Sequence, residues 1–515
     1  MRKLLTILFL LTSSHLFAQT SEVYEKAADG YLKDRDYQVA FDNYSKAIKK
    51  SAQDNVRLSI LYYKRGESLG GLSSSDAALK DFNHSIELNP QNSAAYWGRG
   101  YLYQYNKNFL AAISDYDTVL KLVGAYKSSE SFAYLYCNIG YCQLGLKNYN
   151  EALQADSTAL SINERYGQAY TLRAMIHRAL NKPELVVDDY TKAIESFTGD
   201  NKKELSAIIA DRAYAKMYLK QYKPAINDFT LAINLNPENK FAYWNRAATY
   251  HYNSDYKLAT DDYTSAIALY KDDNINSSKL YDDKAVNEME QNLFTEAIHD
   301  DSVAIALNSL NKDAYLNKAE AYTNNADYKS GIDIYILLLD IDKGDNKLLA
   351  YINYSIANNE YFLNEFDKVI TSCTKAIELD PTYSESYFYR AKVYLKKMNN
   401  KDLANKDFDK VLSLDTTKKS VGYIFSLFYL GRGDEAVAIY NNDILATNND
   451  AILTSDYYGL ACLYSLMNKP NEANIYLKKS IDNGFAKKYA IADEDLDNIR
   501  NTDDYKAIMA DKPAQ

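Results

Sequence analysis

The chain has 515 residues, too many for one packed core and suited to a repeat array. Its net charge of −10 argues against a nucleic-acid-binding surface. Glycine and proline are sparse, at 18 and 7, while tyrosine reaches 49, a balance that fits an all-helical chain.

Residues 1–18 differ from the rest. Arg2 and Lys3 precede a short apolar run, Leu4 to Leu11, and Leu16-Phe17-Ala18 ends at Ala18 before Gln19. This pattern predicts a secretory signal peptide, because the run is too short to span a bilayer. No cysteine follows the site, so lipid attachment is not expected. Removing Arg2 and Lys3 takes the net charge from −10 to −12. The rest of the chain has no apolar run of membrane-spanning length and is expected to be exported, to a periplasm or outside the cell. Four cysteines remain, Cys137, Cys142, Cys373 and Cys462. Cys137 and Cys142 stand at i, i+5 on one predicted helix and point apart, so buried free thiols are expected rather than a disulfide framework.

From Ser21 onward one pattern recurs. Its clearest copy is Lys240 to Asp273, two short predicted helices around the turn signal Asn253-Ser254-Asp255. Tyr243, Ala247 and Tyr250 share a face of the first helix, and Ala259, Tyr263 and Ala266 share a face of the second. One hairpin cannot bury such a face alone and needs copies on either side. This unit resembles the tetratricopeptide repeat (TPR), whose motif places an aromatic at position 4, a small residue at 8, Tyr at 11, Ala at 20, an aromatic at 24 and Ala at 27. The resemblance implies an all-α fold, a right-handed α-solenoid of helix–turn–helix repeats closed by a C-terminal capping helix.

Thirteen copies start at Ser21, Ser59, Ser93, Ala133, Gly167, Ser206, Lys240, Ser278, Lys312, Ala350, Ser384, Thr417 and Thr454. Together they place the repeat array at 19–483 and the cap and tail at 484–515. Through Ser384 the spacings are 38, 34, 40, 34, 39, 34, 38, 34, 38 and 34 residues. Extra residues such as Lys127–Phe132, Asn201–Leu205 and Asn274–Ser277 follow every odd copy. The larger unit is therefore a pair of repeats, about 73 residues long, whose insert lengthens a helix or its leading loop. In the eleventh copy one inserted residue shifts Ala404 and Phe408 by one.

Charge is also periodic. Position 7 is basic and position 23 is Asp in seven copies: Arg65/Asp81, Arg99/Asp115, Arg173/Asp189, Arg212/Asp228, Arg246/Asp262, Lys284/Asp300 and Arg390/Asp407. Five copies lack both members, and the ninth has Lys318 but Ile334. Because the two come and go together, they are expected to pair across the two helices of one hairpin. The acidic doublets Asp261-Asp262 and Asp282-Asp283 read as solvated faces. Arg432-Gly433-Asp434 occupies an inter-helix turn and reads as a turn rather than an adhesion signal. Asn483-Gly484 reads as a helix stop. Ala492 to Met509 resembles the tail that covers the last open face of many TPR arrays.

No catalytic constellation stands out. His84, His177, His251 and His299 lie in four different copies without metal-ligand spacing, and His177 takes a packing position. His299-Asp300-Asp301 diverge by about 100° per residue on a helix, which argues against a shared metal. There is no phosphate-binding glycine loop and no GxSxG. The expectation is a non-enzymatic chain with no cofactor and no metal.

The resemblance also implies a groove lined by first-helix positions 2, 5, 9, 12 and 13. Carried over residue by residue, these are Trp97, Tyr101, Tyr105, Tyr134, Tyr141, Tyr214, Tyr218, Phe241, Trp244, Tyr252, Tyr351, Tyr354, Tyr361, Phe362 and Phe388, with Lys392 and Lys396 beside the last. Such rings offer a large apolar face and a polar tip, which suits recognition. They also suit packing between neighbouring first helices, and both uses stay open. Asn138, Asn245 and Asn317 stand at position 6, but the basic residues of a carboxylate clamp are not gathered around them. The expected partner is a peptide segment or helix of a cell-envelope protein, with a glycan as the alternative and no nucleic acid.

Overall fold

The computed structural model describes residues 21–51, 54–124, 130–444, 454–483 and 487–510. The expected leader at 1–18, insert residues 127–129, Gly484 and residues 511–515 lie outside the described residues. Among the described residues every regular element is a helix, and no helix is long and apolar enough to cross a membrane. The chain divides into two compact units, Met1–Asp255 and Tyr256–Gln515, with the division inside the seventh repeat. Within each unit helix hairpins stack in sequence as an all-α TPR solenoid. The first helix of a repeat packs on its own second helix and on the first helix of the next repeat, as helix Asn55–Gly71 does on Ser93–Tyr105.

The alternating spacing has a structural cause. Even-numbered repeats open on long first helices, such as Asn55–Gly71, Lys202–Tyr218, Asn274–Glu290 and Asn346–Phe362, each 17 residues. Odd-numbered repeats open on Ser93–Tyr105, Gly167–Ala179, Lys312–Asn324 and Ser384–Lys396, each 13 residues. The inserts therefore form one extra N-terminal helical turn. Asp54, Asn201, Asp273 and Asp345 cap those turns by accepting hydrogen bonds from backbone N–H groups of the first turn.

Each hairpin turns through a residue with positive φ at the fifteenth position. Examples are Arg35, Ser73, Lys107, Asn181, Lys220, Asn292, Ala326, Asn364 and Asn468. In the eleventh repeat the residue is Asn399, one place later, where the inserted residue falls, and in the twelfth it is Gly431. Arg432 then takes the N-cap position of helix Gly433–Ile439 without a side-chain cap, so the Arg-Gly-Asp triplet sits at a helix start.

The core lies between the two helices of each hairpin and the next. Position 20 alanines, including Ala40, Ala78, Ala112, Ala225 and Ala297, are fully buried and let the helices approach closely. Position 24 fills the adjoining space with a buried ring, Tyr44, Phe82, Tyr116, Tyr190, Phe229, Tyr335 or Tyr440. All four cysteines are buried and free.

A serine at position 1 ties the two ends of several hairpins. Ser59, Ser206 and Ser278 hydroxyls donate to the carbonyls of Ser85, Ala232 and Ala304 at 2.8, 2.7 and 2.8 Å. Asn92, Asn239 and Asn311 from the following turn donate back to those hydroxyls at 2.9, 2.9 and 3.0 Å. Ser278→Ala leaves the Asn311 amide without this acceptor in a partly buried spot. We expect it to cost about 1–2 kcal/mol in urea unfolding, and a loss below about 0.3 kcal/mol would show the serine to be interchangeable.

Candidate functional site

The site rests on a rigid ion-pair lattice. Arg65 Nε lies 2.7 Å from Asp81, and Arg99 Nη2 lies 2.7 Å from Asp115. Arg173 and Asp189, Arg212 and Asp228, and Arg390 and Asp407 pair at 2.7, 2.7 and 2.8 Å. Lys284 and Asp300 pair at 2.5 Å. Most of these cations also have partners that sequence alone did not reveal. The position 4 tyrosines Tyr62, Tyr96, Tyr170, Tyr243 and Tyr387 lie under the guanidiniums of Arg65, Arg99, Arg173, Arg246 and Arg390, with the charge 4.9–5.7 Å from the ring centroid. The remaining guanidinium nitrogen reaches the preceding repeat. It donates to Ser45, Asn83, Thr191, Thr230 and Thr374 from Arg65, Arg99, Arg212, Arg246 and Arg390. One arginine thus joins three helices. His177 places Nδ1 2.7 Å from Asp189, and Lys216 lies 2.8 Å from Asp228, so position 11 can extend the pair.

The acidic doublets depart from the solvated reading. Asp262 and Asp282 are buried, as are Asp300 and Asp301. Successive residues point about 100° apart, so one member of each expected doublet turns inward. Asp301 and Asp156 occupy position 24, where other repeats place a ring, and neither carboxyl has a hydrogen-bond donor. Burial pushes Asp156 up to about 7. Burial, with the adjoining Asp282, pushes Asp301 up to about 10. Asp282 itself rises to about 6 through burial, while the Asn317 amide, donating at 2.8 Å, opposes the shift.

The groove positions divide into two kinds. In the first unit Trp97 stacks on Tyr134 with centroids 5.7 Å apart, and Tyr214 meets Phe241 at 5.9 Å. Tyr141 and Trp244 are partly buried. These rings pack sideways between first helices. Tyr101, Tyr105 and Tyr218 stay 50, 74 and 62 % exposed, and Tyr252 is exposed on its stack with Tyr222. The position 6 asparagines form no clamp. Asn138 is buried, Asn245 bonds its own helix at Phe241, and Asn317 bonds Asp282.

In the second unit some groove positions pack among themselves and others meet the chain's own C-terminal segment. Tyr351 donates to Glu320 at 2.7 Å, and Tyr354 packs edge-on against Tyr383 and Tyr389. Phe388 packs on Phe408, and Phe362 stacks on Tyr328. Tyr361 donates its hydroxyl to Glu494. Lys396 lies 2.6 Å from Asp495 and 3.4 Å from Glu494, Lys392 lies 3.4 Å from Asp495, and Lys397 lies 3.0 Å from Glu494. Tyr458 donates to Asp493 at 2.8 Å, with the Cys462 thiol 3.6 Å away. Burial alone would raise Glu494, but the Tyr361 hydroxyl and the lysines outweigh it and hold the carboxylate at about 2. Tyr361, Lys392, Lys396, Tyr458 and Cys462 stand at positions 12, 9, 13, 5 and 9 of repeats ten, eleven, eleven, thirteen and thirteen.

The expected single capping helix is therefore several short pieces: helix Lys487–Ala492, a 3-10 turn Glu494–Leu496 and helix Asp503–Met509. Leu496, Ile499 and Tyr505 cover the last repeat, packing with Leu460, Leu463 and Leu477. The acidic turn reaches past that face to repeats ten and eleven. Sequence reasoning missed this because Asp493 to Asp495 look like any solvated acidic run. The one hint was that Lys392 and Lys396 share a groove face in an acidic protein.

Comparison with known proteins agrees with this architecture. Two family models described as tetratricopeptide repeat match residues 372–407 and 60–92. The chain is 22% identical over 354 residues to DnaJ homolog subfamily C member 7 homolog of Dictyostelium discoideum, covering 66% of this chain and 59% of that protein. It is 23% identical over 358 residues to human DnaJ homolog subfamily C member 7, covering 66% and 65%. The chain thus spans about three fifths of the length of these curated relatives. A crystal structure of a tetratricopeptide repeat protein from Parabacteroides merdae matches 49% of this chain and 93% of its own, at 17% identity and a TM-score of 0.40. The chain is a tetratricopeptide-repeat protein.

Proposed function

We propose that this protein is an exported, non-enzymatic scaffold that holds a peptide segment or helix of a cell-envelope protein along its first-helix groove. One observation carries the reading. Groove positions of repeats ten, eleven and thirteen already grip a peptide segment, the chain's own Asp493 to Asp495. In the first unit the equivalent positions present Tyr101, Tyr105 and Tyr218 to solvent on a stiff backing of stacked rings and ion pairs. A tyrosine has few rotors to freeze on binding, which favours recognition. Export rests on the pattern at residues 1–18. The test is affinity capture from an envelope extract of the source cell, with Tyr101→Ala/Tyr105→Ala, which removes exposed groove rings, beside the wild type. The reading expects a partner whose retention falls at least tenfold in the double variant, about 1.4 kcal/mol or more. Equal retention by both would overturn the aromatic groove.

A further inference from the structure

We propose that Tyr361, Lys392, Lys396 and Lys397 form a socket for an acidic peptide segment of a partner protein, and that Glu494 and Asp495 fill it as a built-in competitor. The proposal deepens the groove reading and rests on it.

Three observations carry it. Three ammonium groups and one phenol converge on two carboxylates, with separations of 2.6 Å for Lys396 to Asp495 and 3.0 Å for Lys397 to Glu494. Lys392, Lys396 and Asp495 are largely buried in this contact, so it differs from the exposed pairs elsewhere on the surface. Capping does not require it. The apolar residues Leu496, Ile499 and Tyr505, with Ala490, cover the last repeat, whereas Glu494 and Asp495 reach two repeats further back. A cap needs to shield only the terminal face. The acids also sit at the positions that line a groove for peptides, and they are presented on a tight turn whose start is fixed by the Asp493 side chain accepting from the Asp495 N–H at 2.9 Å. Four donors from two successive first helices and the turn that follows select two adjacent carboxylates.

A segment tethered in the same chain competes at an effective concentration of about millimolar, so a free acidic peptide binds weakly until the internal one is disabled. A natural partner prevails by adding contacts on neighbouring repeats. The inner ring of Tyr361, with Lys392 5.7 Å above its centroid, remains as the floor of the emptied socket.

The test uses the full chain and a fluorescein-labelled peptide copying residues 489–500. The control is the same peptide carrying Asp493→Asn, Glu494→Gln and Asp495→Asn. Glu494→Gln/Asp495→Asn in the protein removes the competitor. The expected result is binding of the acidic peptide at least tenfold tighter than by the wild type, weakened by added salt, and lost on further Lys392→Glu/Lys396→Glu substitution. Binding no tighter than by the wild type, or unchanged by the lysine reversal, overturns the proposal. If the neutralised tail lowers the melting temperature, the wild type is titrated instead with millimolar peptide at low salt. Faster hydrogen exchange at residues 493–500 is then expected, and unchanged exchange overturns the proposal. Tyr101 and Tyr105 lie in the third repeat, so failure here leaves the aromatic groove to its own test.

Discussion

Asp115→Ala destabilises the first unit by about 3 kcal/mol, the size expected when one member of a buried pair is removed. Arg99 donates to both Asp115 oxygens, at 2.8 and 2.7 Å. Its third nitrogen holds Asn83 of the preceding repeat at 2.7 Å, and Tyr96 and Tyr103 flank the guanidinium. Without the carboxylate, that cation stays enclosed and uncompensated. Arg99→Leu/Asp115→Leu removes both charges and is expected to cost about 1 kcal/mol or less, because paired buried charges roughly break even against apolar residues. Urea unfolding of the wild type, the single and the double variant checks this. A single-variant loss below about 0.5 kcal/mol would place the pair with ordinary surface bridges.

Asp301→Asn is expected to stabilise the second unit at neutral pH, against the usual direction of core substitutions. The carboxyl is fully buried beside Asp282 and neither of its oxygens has a donor. Its proton is held up to about 10 in the folded chain, against an unfolded value near 3.9. The sign follows from proton counting. Below about pH 4 both states carry the proton. Above it the unfolded chain releases the proton and the folded chain retains it, so stability falls as pH rises until the folded value is passed. At pH 7 the cost has a ceiling of about 4 kcal/mol, and about 2 kcal/mol is expected because Asp282 shares the titration. An asparagine keeps the volume, keeps a donor toward Asp282 and carries no proton to lose. Thermal melts at pH 5 and pH 8 should show the wild type losing stability with pH and the variant losing less. Parallel curves for the two proteins would contradict the assignment. Asp156, up to about 7, contributes a smaller loss of the same sign in the first unit, over a narrower pH range.

The fold was legible because its signals are local and repeated. Alanine at position 20, a ring at position 24 and a turn at position 15 recur often enough that one missing residue does not hide the phase. The joint presence of Arg65 and Asp81, or Arg390 and Asp407, even pointed to the partner helix. Other features needed three dimensions. That Arg99 reaches Asn83 depends on how hairpins stack, and nothing in either residue's own repeat marks it. The burial of Asp282 was hidden because a doublet reads the same whichever member turns inward. It could have been suspected for Asp301 and Asp156, which stand where a ring is expected. The socket for Asp493 to Asp495 joins residues about a hundred positions apart, and no periodicity reports such a contact. Within the groove, exposure separated Tyr101, Tyr105 and Tyr218 from Trp97 and Tyr134, which sequence placed in one class.

The central claim is that partners bind along first-helix groove positions. The most direct measurement is site-specific photo-crosslinking in an envelope extract, with a photoreactive side chain at Tyr105 in one protein and at Lys80, exposed on a second helix, in another. The account predicts a discrete crosslinked partner from position 105 that is absent from position 80. Crosslinking from position 80 alone, or equal labelling from both, would contradict it.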